Sequence, residues 1–417
     1  MGKTHKDAIK CKQIPEWTMV ALLLSFPFLG YLPHPTLLLT LLVCLALAFW
    51  AWQRVIGKRR PRLETVDFMV LLLAMAFILA GALVRIGWKE AFLQGITRSL
   101  LLFIYFPAVD FFRCSVWRKR GAFALQISGG IAAFLGILQY FQGKALLGWV
   151  DLTRFSDIGG RVTGGFGNPN VFSVYLLLVL PISLVFLFQE KSPLTSRFFA
   201  LICLSFELLC LVLTWSRGAW LGAIFSLFLF LLLFSRFTRK CLLWGSPLLL
   251  SLPFFLPHNI INRFLSIGDL KESSIQYRLW VWKGVGRMLW EHPFGIGLGY
   301  ENFSARYHLY AVSGTETVIH THQIFLQIFC ELGVIGAILF LLFLGLLLFK
   351  LLKKPVQSRL DHELRLFGGG IGLLGVLVAG LFDNIWYHYG VFCLFWIMAA
   401  LSSSLLRRDF DQLEQLS

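Results

Sequence analysis

Long apolar runs separated by short polar segments make up most of the chain. A helix of about 20 apolar residues crosses the hydrocarbon core of a bilayer, so each run of roughly that length predicts one transmembrane helix. The pattern predicts an all-α, polytopic integral membrane protein with about twelve transmembrane helices, forming one membrane domain over residues 1–417. The predicted spans are residues 17–32, 36–52, 66–86, 97–112, 121–142, 171–188, 198–214, 219–234, 241–256, 324–349, 366–385 and 391–406.

The composition indicates the same class of protein. Of the 417 residues, 57% are hydrophobic and only 14% are charged. This leaves too little polar surface for a water-soluble protein, and it excludes intrinsic disorder, which needs the opposite composition. The eight cysteines follow no metal-ligand spacing, so we expect small apolar fillers or free thiols.

The formal net charge of +16 does not indicate a nucleic-acid partner, because Lys and Arg form short clusters between the apolar runs. Basic residues concentrate in the cytoplasmic loops of membrane proteins. With a cytoplasmic N-terminus, the inner segments hold 25 of the 38 Lys and Arg residues. We therefore expect both termini in the cytoplasm. The first apolar run lacks a small-residue cleavage site, so we expect a retained anchor.

Two outer segments are long enough to carry chemistry, residues 143–170 and the large extracytoplasmic loop 257–323. In the large loop, the capping-box pattern Ser273–Gln276 predicts an amphipathic helix from about 274 to 291. Arg278 borders the apolar stripe of this helix and is expected to point toward the membrane. The predicted stripe consists of Ile275, Leu279, Trp282, Gly286 and Leu289.

Arg217 lies in a tight break between two apolar spans, within the sequence Trp-Ser-Arg-Gly-Ala-Trp. One interpretation is an interfacial turn whose tryptophans join the aromatic belt and whose arginine reaches lipid headgroups. The alternative is an anion site. The external location favours it, because positive-inside statistics disfavour an arginine there unless it has an anionic partner.

His320 and His322 stand where the large outer loop enters an apolar helix. Their spacing of two residues does not suit a zinc site, since ligand pairs on a helix are three or four residues apart and no third ligand follows nearby. A neutral imidazole at a membrane boundary can accept a proton, so His322 is a candidate general base. A histidine that caps the helix is the structural alternative.

These residues resemble the O-antigen ligase and polymerase superfamily of integral-membrane glycosyltransferases. The family's motif is His, then Asn, Ser or Gln, nine residues, Gly, two residues, and Gly, Thr or Tyr. His322, Gln323, Gly333 and Gly336 satisfy every position. The Phe-Gly-Asn-Pro-Asn sequence at 166–170 and the stretches at 277–282 and 292–299 look similar to other parts of the family, in the same order.

The resemblance implies a GT-C-like fold and the transfer of a glycan from an undecaprenyl-diphosphate-linked donor to an acceptor hydroxyl. The reaction would take place on the outer face of the bacterial cytoplasmic membrane, and the acceptor would be a glycan or a glycolipid such as the lipid A core.

In such a reaction the diphosphate gains charge as it leaves, so fixed cations lower the barrier. Arg217 and Arg278 fit that role, because guanidinium binds phosphate bidentately. His322 fits the base, and a single displacement inverts the anomeric centre. Neither a metal nor a cofactor is expected.

Other polar residues are weaker candidates. Asn168 and Asn170 have the chemistry to shape a turn. Asp383 forms a cluster with Asn384 and His388 at the end of a span and is a candidate to orient His322 or the acceptor. Arg154 is a candidate for contact with the donor or with headgroups. The residues expected to contact substrate are Arg217, Arg278, Arg161, Asn168, Asn170 and Asp383.

Three alternatives remain open. An O-antigen or polysaccharide polymerase would use the same chemistry with another lipid-linked chain as acceptor. A transporter of a small anion such as bicarbonate would use Glu207, which falls near the middle of a predicted span, where ionisable groups are costly. A protonated or internally paired carboxyl is the structural interpretation of Glu207. A scaffold without chemistry leaves the external Arg and His residues unexplained.

Overall fold

The computed structural model describes residues 14–57, 63–143, 160–190, 192–251, 258–269, 273–352 and 363–404. Within these residues the chain is helical and contains no β-strand. The helices are α1 (Ile14–Leu29), α2 (Pro35–Ile56), α3 (Thr65–Ala82), α4 (Trp88–Phe103), α5 (Tyr105–Arg113), α6 (Ser115–Phe141), α7 (Pro169–Phe188), α8 (Leu194–Leu213), α9 (Arg217–Leu233), α10 (Arg236–Ser251), α11 (His258–Leu265), α12 (Ser273–Glu291), α13 (Tyr300–Tyr307), α14 (Ile324–Leu352), α15 (Ile371–Gly380, preceded by a π-helical segment at Leu364–Gly370) and α16 (Tyr389–Ser403).

Seven helical segments of the described chain are long and apolar enough to cross a membrane, namely α2, α3, α4 with α5, α6, α7, α8 and α14. Helices α1, α9, α15 with its π-helical segment, and α16 are apolar but shorter. Each predicted span overlaps a described helix, so the prediction of an all-α, polytopic membrane protein is confirmed. The ninth predicted span overlaps α10, which is in neither group, and its last residues, 252–256, lie outside the described residues.

Helix α7 lies at the centre of the bundle. Nearly all of its residues are buried, and α6, α8, α9, α15 and α16 pack around it. Small residues bring two of these helices very close together, as is common in membrane proteins. A Cβ added at Gly222 of α9 would lie 2.4 Å from the carbonyl oxygen of Gly375 in α15. A Cβ at Gly218 would lie 3.0 Å from Phe382 Cβ. The first turn of α9 therefore lies beside the chain that leaves α15.

Helix α14 is interrupted at Gly333, where the backbone has φ 69° and ψ −173°. The segment that follows α12 fills the interruption, because Val334 N donates to Pro293 O at 2.8 Å and Ile296 N donates to Cys330 O at 2.7 Å. A Cβ at Gly333 would lie 2.2 Å from the carbonyl carbon of Phe294. Both the positive φ and this close approach require glycine at position 333.

The helix predicted in the large outer loop is present as α12, but the predicted apolar stripe is not the face that packs against the rest of the protein. Of its members, Leu289 is buried, whereas Gly286 is exposed and Leu279 is 41% exposed. The buried face of α12 packs against α13, the segment at Val318 and the start of α14, so these neighbours decide which residues are covered. The buried residues of α12 are Val281, Gly284, Val285, Met288 and Leu289.

Candidate active site

A cleft lined by four arginines opens where α9, the segment before α7, the end of α15 and the α11–α12 region meet. We call it the arginine cleft. It encloses about 420 Å³ of space, including the part open to solvent. Its described lining consists of Arg161, Asn170, Val174, Trp215, Ser216, Arg217, Gly218, Ala219, Arg263, Arg278, Ala379, Phe382, Asp383 and Ile385.

Arg217 is the first residue of α9, so the cleft lies at the N-terminus of that helix. The backbone N–H groups in the first turn of a helix have no partner within the helix and attract anions. The guanidinium of Arg217 is held by the α11–α12 region: Nη1 donates to Ser266 Oγ at 2.9 Å and Nη2 donates to Ser274 Oγ at 2.6 Å. Trp215, two residues earlier, has φ 53°, an uncommon value for a residue with a side chain.

Arg161 and Asp383 are joined through Asn170. Arg161 Nη2 donates to Asn170 Oδ1 at 2.7 Å, and Asn170 Nδ2 donates to Asp383 Oδ2 at 2.7 Å. Burial and the positive charge of Arg263 lower the pKa of Arg161 to about 9, although Asp383 opposes the shift. Arg161 therefore remains a cation at neutral pH.

His322 lies against Asp383 at the edge of the arginine cleft. Its Nδ1 is 3.5 Å from Asp383 Oδ1. A carboxylate facing Nδ1 favours the tautomer with hydrogen on Nδ1 and leaves Nε2 free to accept a proton. Burial would raise the pKa of Asp383, but the hydrogen bond and charge of His322 outweigh it and hold this pKa well below its usual range. Asp383 is therefore an anion at neutral pH.

The backbone at His322 is left-handed, with φ 52°. For a residue other than glycine this conformation costs on the order of 1–3 kcal/mol and persists only when the surroundings enforce it. One enforcing contact is local, because His322 N donates to His320 Nδ1 at 3.2 Å. Of the three described residues other than glycine that have positive φ, Trp215 and His322 both belong to this site.

His320 has surroundings different from those of His322. Its ring stacks on Tyr387, with ring centroids 5.5 Å apart, and its Nδ1 accepts from the His322 backbone. Burial, reinforced by the neighbouring His322, lowers the pKa of His320 to about 3. A neutral ring agrees with its role as hydrogen-bond acceptor at Nδ1.

The two histidines and Asp383 have ligand atoms within 4.8 Å of one another, the spacing of a possible metal site. The sequence-based argument that no third ligand accompanies the histidines is therefore wrong, because Asp383 reaches them from the end of another helix. The neighbouring charges disfavour a divalent cation, since Arg161 and Arg278 act electrostatically on these groups. Asp383 also already accepts from Asn170 and from Asn384 N, at 2.7 and 2.8 Å.

The structure brings Arg217, Arg278, Arg161, Asn170 and Asp383 together in the cleft and places His322 beside Asp383. Arg278 lines the cleft together with the other three arginines.

Some expected residues lie elsewhere. Asn168 caps α7 by accepting from Asn170 N at 2.8 Å and is not among the described lining residues. His388 caps α16. Glu207 is buried in α8, where it accepts from Ser183 Oγ at 3.1 Å. Arg154 lies outside the described residues.

Arg263, on α11, is a lining residue that the motifs did not identify. The signal for it in the sequence is its position as a basic residue in a loop predicted to be external, where positive-inside statistics disfavour arginine.

Comparison with known proteins shows what this chain is similar to. Residues 198–341 match the family model described as O-antigen ligase. The ComP-specific O-oligosaccharyltransferase of Acinetobacter baylyi is 29% identical over 209 residues, which make up 45% of this chain and 36% of that protein. The chain thus matches little more than a third of the relative's length. The family match contains Arg217, Arg263, Arg278 and His322, and it confirms the resemblance to the O-antigen ligase superfamily.

Proposed function

We propose that the protein is a glycosyltransferase that moves a glycan from an undecaprenyl-diphosphate-linked donor to an acceptor hydroxyl. The observation that carries this proposal is the arginine cleft beside the His322–Asp383 pair. Four guanidinium groups suit a polyanion, and the adjoining imidazole suits proton removal. The family match and the name of the curated relative agree with this combination.

In the proposed reaction the acceptor oxygen attacks the anomeric carbon while the bond from that carbon to the diphosphate breaks. His322 Nε2 takes the proton of the hydroxyl, and the electron pair of the breaking bond passes to the diphosphate oxygen. Asp383 stabilises the imidazolium that forms, as the acid does in a catalytic triad. Arg217 and Arg278, with Arg161 and Arg263, stabilise the charge that grows on the leaving group. One displacement inverts the configuration.

The acceptor defines three variants of this proposal. A ligase transfers to a glycolipid such as the lipid A core, a polymerase extends a second lipid-linked chain, and an oligosaccharyltransferase modifies a protein. We propose the ligase, because the match is to the ligase family.

Anion transport is the second candidate function. Glu207 is its best residue, but this carboxyl packs inside the bundle beside Ser183 and does not line the arginine cleft, as far as the chain is described.

We also propose that the reaction takes place outside the cytoplasmic membrane, with both termini inside. Arg217, Arg278 and His322 would then be external, whereas Lys350 and Arg365 would be near the cytoplasm. In a cysteine-depleted background, a membrane-impermeant maleimide should label Ser313→Cys in intact cells and label Lys353→Cys only after permeabilisation. The reverse pattern would contradict an external active site.

A reconstituted transfer reaction tests the function. Lipid extract from a strain lacking the gene would supply the accumulated lipid-linked glycan, and membranes of that strain would supply the acceptor. Purified protein should consume the lipid-linked glycan and release undecaprenyl diphosphate, both measured by mass spectrometry. His322→Ala should slow this by on the order of 10² to 10⁴ if it removes the general base. His320→Asn should have a mild effect, because Asn Oδ1 can replace Nδ1 as the acceptor from His322 N. Wild-type transfer by well-folded His322→Ala would overturn the assignment of the base.

A further inference from the structure

A buried ion pair joins α4 to α14 below the histidine segment. Arg98 Nη1 binds Glu331 Oε2, and the two side chains are 3% and 9% exposed. Arg98 also lies over the ring of Phe77, with Cζ 5.7 Å from the centroid. Glu331 belongs to the segment that matches the ligase family, whereas Arg98 lies outside that segment. Ionisable groups inside a membrane bundle are costly unless paired, and they often mark function.

Gln327 links the ion pair to the backbone beside His322 by two hydrogen bonds. Glu331 Oε1 accepts from Gln327 Nε2 at 2.9 Å, and Gln327 Oε1 accepts from Thr321 N at 2.9 Å. A carboxylate can only accept, so it fixes the orientation of the amide. With Nε2 committed to Glu331, Oε1 is the atom presented to Thr321. The carboxylate of Glu331 thus orients the amide of Gln327. Gln327 in turn accepts a hydrogen bond from the backbone N–H of Thr321, the residue before His322.

Thr321 is held on other sides as well. Its carbonyl oxygen accepts from Trp282 Nε1 at 2.9 Å, and its hydroxyl donates to Gln323 O at 2.7 Å. Its side chain is fully buried. His322, the next residue, has a left-handed backbone, and its ring lies against Asp383. Without a fixed Thr321, the backbone of His322 can relax to an ordinary φ and turn the ring away.

We propose that Arg98 and Glu331 are positioning residues for His322, acting through Gln327 and Thr321. The inference rests on the proposed function, in which His322 is the base. A purely structural ion pair between α4 and α14 would affect expression and stability, whereas a positioning network affects the turnover that depends on His322.

The test uses two kinds of change. Arg98→Met combined with Glu331→Leu replaces the ion pair with apolar groups of similar size, which buried sites often tolerate. Gln327→Met keeps the ion pair and removes only the link to Thr321. For each we expect kcat to fall about 10- to 100-fold, the range for a misplaced catalytic group. KM for the lipid-linked glycan in extract from the deletion strain should change little, because the arginine cleft is intact. Arg98→Lys should recover part of kcat.

Two further measurements separate positioning from structure. The control is Lys350→Met with Glu64→Gln, which breaks another ion pair of α14, far along the helix; its kcat should stay at the wild-type value. In a His322→Ala background, Gln327→Met should cause no additional loss, because effects that act through one group are not additive.

Three results would overturn the proposal. Unchanged kcat in Gln327→Met, or an equal further loss in the His322→Ala background, would contradict positioning while leaving the proposed function intact. Normal transfer by His322→Ala alone would remove the assignment of His322 as the base, and with it the positioning proposal, while the transfer activity itself would stand.

Discussion

Asn170 separates the cation Arg161 from the anion Asp383. Its amide accepts from the guanidinium at Oδ1 and donates to the carboxylate at Nδ2, both at 2.7 Å. A direct ion pair would let the two charges neutralise each other. The bridging amide instead holds one charge in the arginine cleft and the other against His322. The N-terminus of α7, the central helix, thus fixes the spacing between the proposed phosphate site and the proposed base.

Asp383→Asn tests the role of the carboxylate. Asparagine keeps the shape but presents a neutral group to His322 Nδ1, so the tautomer and the imidazolium lose their support. We expect kcat to fall on the order of 10²-fold or more, with KM for the donor nearly unchanged. Asp110→Asn, in α5, is the control and should keep wild-type kcat. The measurement is initial-rate kinetics of undecaprenyl diphosphate release, and an unaltered kcat in Asp383→Asn would exclude the pair as a catalytic unit.

Arg217→Lys and Arg278→Lys test whether guanidinium geometry matters in addition to charge. Lysine keeps a positive charge but cannot span Ser266 and Ser274 as Arg217 does, and it cannot bind phosphate bidentately. We expect the alanine variants to lose both kcat and donor affinity, and the lysine variants to recover only part of each. Arg287→Lys is the matched control, because Arg287 is exposed on the same helix as Arg278. Full recovery by lysine would mean that charge alone suffices.

The sequence predicts the helices well because the length of an apolar run is a local property. It also points to Arg217, which breaks two apolar spans, and to His322, which directly precedes one. Arg278 was chosen from its position beside the predicted stripe of the loop helix and from the family resemblance. The glycine at 333 could be assigned to the family motif. The physical reason for glycine at this position is the close approach of the backbone at Phe294. This contact exists only in the folded chain and leaves no local pattern in the sequence.

Several parts of the site depend on tertiary contacts that no local pattern contains. The contact of Asp383 with His322 depends on how the end of α15 packs beside the start of α14, where a Cβ at Gly380 would lie 2.8 Å from Ile324. The stripe on α12 was mispredicted because helical spacing offers several faces, and the choice among them is made by Phe303 and Tyr307 of α13. Arg263 lines the cleft, although no sequence motif marks it.

The cluster of His320, His322 and Asp383 allows a direct test of metal dependence. We expect transfer to survive EDTA, because the arginines supply the positive charge that the leaving diphosphate needs. Added Zn²⁺ should slow the reaction, since an ion between Asp383 and His322 Nδ1 would leave the hydrogen of the ring on Nε2, which could then no longer accept a proton. Loss of activity in EDTA that is restored by Mg²⁺, Mn²⁺ or Zn²⁺ would show that a metal assists the leaving group. The measurement is the release of undecaprenyl diphosphate by protein dialysed against chelator, with metal analysis to verify that metal was removed.

His320 predicts a specific pH dependence of stability. Its pKa is about 3 in the folded protein, against an ordinary value of 6.5 for histidine in the unfolded chain. Above pH 6.5 the ring is neutral in both states, so its stabilising contribution is fully present. As the pH falls from 6.5 toward 3, the unfolded state binds a proton that the folded state does not, and the free energy of unfolding decreases, by about 2 kcal/mol at pH 5.

His320→Asn should therefore reduce the acid sensitivity of the protein. Asparagine keeps an acceptor for His322 N but does not titrate. Between pH 7.5 and pH 5 the melting temperature in detergent, followed by tryptophan fluorescence, should fall less in this variant than in wild type. His308→Asn, which changes an exposed histidine, is the control and should follow wild type. Equal decreases in His320→Asn and wild type would mean that His320 titrates in the folded protein as it does in the unfolded chain, and its neutral, accepting state at Nδ1 would have to be abandoned.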